Sequence, residues 1–172
     1  HPTANLPLRG GKGWLYEGGI REPLIVRWPG KTQPGSTSEV PVVSTDFYPT
    51  MLEMADLPMQ PQQHVDGKSM TAVLEGSTEP VHEAIFWHYP HYGNQGASPG
   101  SAMRQGDWKL IHWYEDDRYE LFNLGEDIGE KVNVAEQYPE RVEEMSAALS
   151  TWIEEVDGKM PSPNPNAAQA KL

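Results

Sequence analysis

The 172-residue sequence contains no cysteine. Disulfides, thiolate metal sites and a cysteine nucleophile are therefore excluded within it. Positive charge is scarce, with 13 Lys and Arg against 25 Asp and Glu and a net charge of −12. General binding to nucleic acid or to an anionic membrane needs a basic face, which this composition does not favour. No apolar run approaches the ~20 residues of a membrane span. The chain has 37% apolar and 22% charged residues, in the range of a folded globular protein. Its length is about one domain's worth. Glycine and proline number 16 each, so loops are plentiful. The chain opens His1-Pro2-Thr3-Ala4-Asn5, with no Met and no signal-like segment, and reads as the continuation of a longer protein.

The pattern along the chain changes twice. Residues 8–22 carry five glycines, at 10, 11, 13, 18 and 19, and form a tight loop that a ligand can approach closely. Pro23 to Trp28 is a short apolar run, expected as a buried strand of a parallel sheet. Asp46 suits an N-cap, and Phe47, Met51, Leu52 and Ala55 give a helical stripe, so a helix is expected over about 46–56. After a long connection the period becomes that of strands. Ala84–His88, Ser101–Gln105, Trp108–Tyr114 and Arg118–Phe122 are the candidates, with turns at Gly106-Asp107 and Glu115–Asp117. A small antiparallel sheet follows from this spacing. Residues 139–156 then place Val142, Met145, Leu149, Trp152, Ile153 and Val156 on one helical face. Pro139 fits the first helical position, and Gly158 is the expected stop. The tail from Pro161 is expected to be extended or frayed.

Three features carry possible chemistry. Gly10-Gly11-Lys12-Gly13 puts an ammonium among backbone N–H groups, an arrangement able to hold a tetrahedral oxyanion. It does not fit the P-loop pattern, and a solvated lysine in a flexible loop is the plainer reading. His82, His88, His91 and His112 lie in or beside the expected sheet, among aromatics. They can line a pocket for a polar ring, pack as an aromatic loop, or ligate a metal, although no helical His pair supports the last. Glu115-Asp116-Asp117 is either a hard-cation site or a solvated turn. Glu17, Arg21 and Glu22 could form an ion-pair lattice that holds the glycine loop in shape.

Several segments together resemble a known family. Leu8-Arg9-Gly10-Gly11-Lys12-Gly13, Tyr16-Glu17-Gly18-Gly19-Ile20-Arg21-Glu22-Pro23 and Trp28-Pro29-Gly30 closely resemble the second signature segment of type I, formylglycine-dependent sulfatases. The helix from Asp46, the Asp66-Gly67-Lys68-Ser69 turn, Phe86–Tyr92, Arg104–Leu110 and Glu120–Leu124 continue the likeness. So do Asp127, Glu130 and Asn133, and the segment Met160–Pro165.

The resemblance implies an α/β, alkaline-phosphatase-like sulfatase fold, of which this chain is a C-terminal portion. Residues 1–62 would end the catalytic domain with a strand and a helix of its large sheet. Residues 63–172 would form a C-terminal subdomain: about four antiparallel strands packed by the helix at 139–156. Lys12 stands where the family's lysine contacts the sulfate. The loop at 86–92 suggests a sugar ring stacked on aromatics, with His88, His91 and Tyr92 binding it. The formylglycine nucleophile and the Ca2+ ligands of the family have no matching motif here, so this chain alone is expected to be inactive. The expected partners are a sulfated small molecule or glycan and the missing N-terminal part of the sulfatase. No nucleic acid partner and no membrane span are expected, and the family implies a periplasmic or secreted location. Set beside the sulfatase reading are a glycan- or anion-binding module, an inactive remnant, and a phosphatase or phosphonate hydrolase of the same superfold.

Overall fold

A four-stranded sheet with its strands in chain order organises one part of the chain. The computed structural model describes residues 5–162 and 164–165. Part of the expected extended tail, Pro163 and residues 166–172, lies outside the described residues. Two units are seen: one joins the residues up to Arg21 with those from Phe86 onward, and the other runs from Glu22 to Ile85.

In the first unit, β1 (Ile85–Tyr89), β2 (Gly100–Gln105), β3 (Trp108–Trp113) and β4 (Arg118–Asn123) form one sheet in chain order. The strands match the expected ones to within a residue or two at each end. Gln105 opposes Trp108, so Gly106 and Asp107 alone make the turn, and Gly106 takes a φ of +58°. Trp113 opposes Arg118 across the acidic turn. The register sets two faces, because alternate residues of a strand point to opposite sides. Ala102, Ile111 and Glu120 share one row, and Arg104, Lys109 and Phe122 share another on the same face. On this face Leu15 and Tyr16 of the glycine-rich segment join Ala102, Ile111, Trp113 and Phe122 in the core. Each such fully buried large apolar side chain stabilises by roughly 1.5–3 kcal/mol.

Helix α4 (Pro139–Glu155) covers the other face, packing on β2 and β3. Met145, Leu149 and Ile153 are its buried stripe, and Trp152 stacks on Phe86 with ring centres 4.9 Å apart. Pro139 stands in the first turn, as expected. The helix stops one residue before the expected end. Asp157 takes a φ of +50°, and the Gly158 N–H reaches back to the Ile153 carbonyl at 2.8 Å. Val156 is consequently exposed rather than part of the stripe.

The second unit is organised by one carboxylate. Asp46 ends a 3-10 turn (Ser44–Asp46) that leads into α2 (Phe47–Met54). Its side chain does not cap α2, as the sequence suggested. Instead Asp46 accepts the Val43 N–H at 2.9 Å, the Lys68 N–H at 2.9 Å and a hydrogen bond from His82 Nε2 at 2.8 Å. Short helix α3 (Thr71–Leu74) packs on α2. The expected strand at 23–28 is not formed: the segment has no sheet partner among the described residues, and Ile25 is 93% exposed. A parallel strand needs neighbours to satisfy its backbone, and this chain provides none there.

Candidate functional site

The glycine-rich segment begins with a hydrogen-bonded turn. The Trp14 N–H donates to the Gly11 carbonyl at 3.1 Å, which places Lys12 and Gly13 at the two central positions. Gly13 has a φ of +91°, the left-handed conformation that a type II turn requires there. The Gly18 N–H closes the wider loop on the Arg9 carbonyl at 2.8 Å. A Cβ on Gly19 would lie 2.1 Å from the Trp14 carbonyl oxygen, so only hydrogen fits at that approach. Helix α1 (Glu17–Ile20) follows at once. Lys12 is thus presented at a turn tip, exposed, and makes no ion pair or hydrogen bond among the described residues.

What holds the turn in place lies under it. Tyr16 and Glu17 are both buried against the sheet. The Tyr16 hydroxyl donates to Glu120 Oε2 at 2.8 Å, and Trp113 Nε1 donates to the same oxygen at 3.2 Å. Arg118 pairs with the other oxygen of Glu120. Burial pushes the Tyr16 hydroxyl far up, and the hydrogen bond to Glu120 adds to the shift. The Arg9 guanidinium stacks 3.9 Å from the Tyr16 ring centre and donates to the Glu130 carbonyl at 2.8 Å.

Glu17 sits in an ionic cluster. Lys109 Nζ is 3.0 Å from Glu17 Oε1 and 2.8 Å from Glu130 Oε1, and none of the Lys109 surface is exposed. Glu17 Oε2 accepts from Arg21 Nε at 2.7 Å, with Arg104 at 4.0 Å. The Glu17 N–H donates to Glu130 Oε2 at 2.7 Å. Burial pushes the Glu17 carboxyl up, but Lys109 and Arg21 outweigh it and hold it below the ordinary range. Burial pushes Glu130 up as well, and there the shared Lys109 charge does not compensate. The expected lattice of Glu17 and Arg21 is therefore real, but its other members are Lys109 and Glu130. Glu22 is exposed and takes no part among the described residues.

His88, His91 and Tyr92, the residues expected to bind a sugar, do not behave alike. His88 is half-buried: its Nδ1 lies 2.6 Å from Ser101 Oγ and its Nε2 3.0 Å from the Lys159 carbonyl. Neither ring nitrogen of His88 is free for a ligand. His91 and Tyr92 are exposed, Tyr92 at 67%, and the His91 ring lies 4.0 Å from that of Tyr89. Their loop touches the glycine turn. A Cβ on Gly13 would lie 2.9 Å from Gln95 Oε1, so Gln95 is seated against the residue after Lys12. The fold thereby brings the Lys12 turn and the His91–Tyr92 loop together. Residues of the second unit, Tyr48, Gln63, His64 and Asp66 among them, line a pocket of about 230 Å³.

The acidic turn is occupied by its own neighbours. Glu115 accepts from Ser98, Asp116 pairs with Arg118, and Asp117 lies 2.7 Å from His112 Nε2. Among the described residues no group of three or more His, Asp or Glu is placed to hold a metal ion. Sequence reasoning missed Lys109 and Glu120 as anchors of the loop. Their only signal was a charged residue on the core-facing side of an alternating strand.

Residues 11–159 match the family model described as N-sulphoglucosamine sulphohydrolase, C-terminal. A protein named Sulfatase from Formosa agariphila is 39% identical over 167 residues, covering 88% of this chain and 30% of its own length. N-acetylglucosamine-6-O-sulfatase from Bacteroides thetaiotaomicron is 32% identical over 128 residues, covering 72% of this chain and 23% of its own length. The solved structure of Ps i-CgsB in complex with k-i-k-neocarrahexaose superposes with a TM-score of 0.74 and 28% identity, over 96% of this chain and 36% of that one. The chain thus spans about a third or less of these relatives. With the family model matched over most of its length and the fold shared with solved sulfatase relatives, the chain belongs to the sulfatase family, as a C-terminal portion of an alkaline-phosphatase-like fold.

Proposed function

We propose that the whole protein hydrolyses a sulfate ester on a sulfated carbohydrate, with Lys12 contacting the sulfate. One observation carries this: Lys12 is an exposed ammonium with no partner among the described residues, on a hydrogen-bonded turn, and the loop bearing His91 and Tyr92 is seated against that turn. The cation neutralises charge on the sulfate oxygens and on the leaving oxygen as it develops, which is electrostatic stabilisation of the transition state. Tyr92 offers an aromatic face to a sugar ring, and His91 offers ring nitrogens to its hydroxyls. His88 supports that loop from within the sheet. The names of two relatives favour a sugar substrate, since one is an N-acetylglucosamine-6-O-sulfatase and the other was solved with a neocarrahexaose.

In this reading residues 1–62 end the catalytic domain and residues 63–172 form the C-terminal subdomain of the whole protein. The formylglycine nucleophile and the Ca2+ ligands come from sequence outside this chain, which alone is inactive. The protein is periplasmic or secreted. Among the described residues no helix is long and apolar enough to cross a membrane.

The test is sulfate release by the whole protein from N-acetylglucosamine-6-sulfate and from a sulfated neocarrahexaose. Lys12→Ala is expected to lower kcat by about 10²–10³-fold, the cost of one lost oxyanion donor. A loss below about tenfold removes the assigned role from Lys12. His91→Ala and Tyr92→Ala are expected to raise KM more than they lower kcat. Turnover of a phosphonate monoester with no sulfate release would move the protein to the phosphonate hydrolases. Glycan binding with no release of sulfate at all would make it a binding module.

A further inference from the structure

Lys109 lies far from Lys12 in sequence, yet the structure ties the two through five intervening residues. The turn bearing Lys12 runs directly into Leu15, Tyr16 and Glu17, all buried. Glu17 is then held at three atoms: Oε1 by Lys109, Oε2 by Arg21, and its N–H by Glu130, which Lys109 also pairs. A buried ammonium between two carboxylates is a poor source of stability, because desolvation offsets most of the attraction. Apolar residues of the same volume would fill the space as well. Displacing any one member of the triad, however, leaves a charge unpaired in the interior.

We propose that the Lys109–Glu17–Glu130 triad is a positioning device for the Lys12 ammonium, and that Lys109 is a positioning residue for sulfate-ester hydrolysis. This rests on the reading that Lys12 contacts the sulfate. The triad fixes the segment that follows the turn, while the Gly18 N–H on the Arg9 carbonyl fixes the other side of the loop. The turn between them has one register, and a displacement of about 1 Å at a catalytic group can cost roughly 10²-fold in rate.

The experiment is a double-mutant cycle in the whole protein, with N-acetylglucosamine-6-sulfate as the probe. One arm is the triple variant Lys109→Met, Glu17→Gln, Glu130→Gln, which leaves no unpaired charge in the triad. The other arm is Lys12→Ala. The triple variant is expected to keep a cooperative thermal transition, to lose about 10–100-fold in kcat, and to change KM less than about threefold. In the Lys12→Ala background the same three substitutions are expected to change kcat by less than about threefold. An unchanged kcat in the folded triple variant overturns the proposal. So does a loss of the same size in the Lys12→Ala background, which would show that the triad acts elsewhere. If Lys12→Ala alone leaves kcat intact, the reading of Lys12 itself has failed, which is a separate result. Where the triple variant does not fold, Glu17→Gln alone enters the same cycle with the same criteria, because it keeps the Lys109–Glu130 pair.

Discussion

Lys109 Nζ lies 3.0 Å from Glu17 Oε1, joining β3, an inner strand of the sheet, to the start of α1, 92 residues earlier in the chain. Both side chains are buried, so the contact links the glycine-rich segment to the sheet where water does not screen it. Lys109→Met removes the ammonium and leaves two buried carboxylates beside each other. The expected cost is about 3–5 kcal/mol, measured by denaturant unfolding of the protein. A cost under about 1 kcal/mol would mean that the carboxylates find other partners or protonate without penalty.

The two carboxylates on Lys109 titrate in opposite senses. Glu17 is held below its ordinary value of 4.5, so its stabilisation is present above that pH and is lost as pH falls through its folded value. Glu130 is raised above the same value, so its contribution is present below 4.5 and is lost as pH rises through its folded value. Thermal melts from neutral pH to about 3 should therefore separate the variants. Glu17→Gln flattens the acid-side loss of stability, and Glu130→Gln steepens it. Equal slopes in both would refute the opposed shifts.

Two glycines of one loop predict contrasting outcomes. A Cβ at Gly19 would lie 2.1 Å from the Trp14 carbonyl oxygen and 2.5 Å from that of Gly11, and both neighbours are backbone. At Gly11 a Cβ meets nothing within 4 Å. Gly19→Ala should destabilise by about 1–3 kcal/mol or more, as overpacking does, and, on the proposed function, should lower sulfate-ester hydrolysis by moving the Lys12 turn. Gly11→Ala should stay within about 0.5 kcal/mol of the parent. Melting temperatures of the two variants, side by side, check this.

In the second unit, Asp46→Ala leaves the N–H groups of Val43 and Lys68 without their acceptor and removes the partner of His82. The expected loss is about 1–3 kcal/mol. Asp46→Asn keeps one carbonyl oxygen and should lose less. If the asparagine variant were as unstable as the alanine one, the charge rather than the hydrogen-bond count would dominate. Hydrogen exchange at Val43 and Lys68 reports the effect residue by residue.

Much of this was legible before the structure. The β2–β3 hairpin declared itself through Gly106-Asp107 between two alternating runs, and α4 through Pro139 and apolar residues at helical spacing. Both depend on contacts close in sequence. The run at 23–28 misled, because apolar content marks a strand only where a partner exists. Asp46 also looked like a helix cap, since its neighbours in space, Lys68 and His82, are 22 and 36 residues away. The site divided the same way. Lys12 and its glycines could be read from the motif, whereas His88 could not be told from His91 until Ser101 of β2 and the Lys159 carbonyl took the two ring nitrogens of His88 and His91 was left exposed.

By itself the sequence determined the composition limits, the family, the four strands of the antiparallel sheet and the long helix, and the lysine at the tip of the glycine turn. These follow from local propensity, hydrophobic period and short motifs, each contained within a few residues. Only the tertiary structure decided that Lys109 is buried between Glu17 and Glu130, that Tyr16 reaches Glu120, and that Gln95 rests on Gly13. A charged side chain carries no local mark of burial. Whether it faces water or another charge depends on which distant segments the sheet register and the loop closures bring against it.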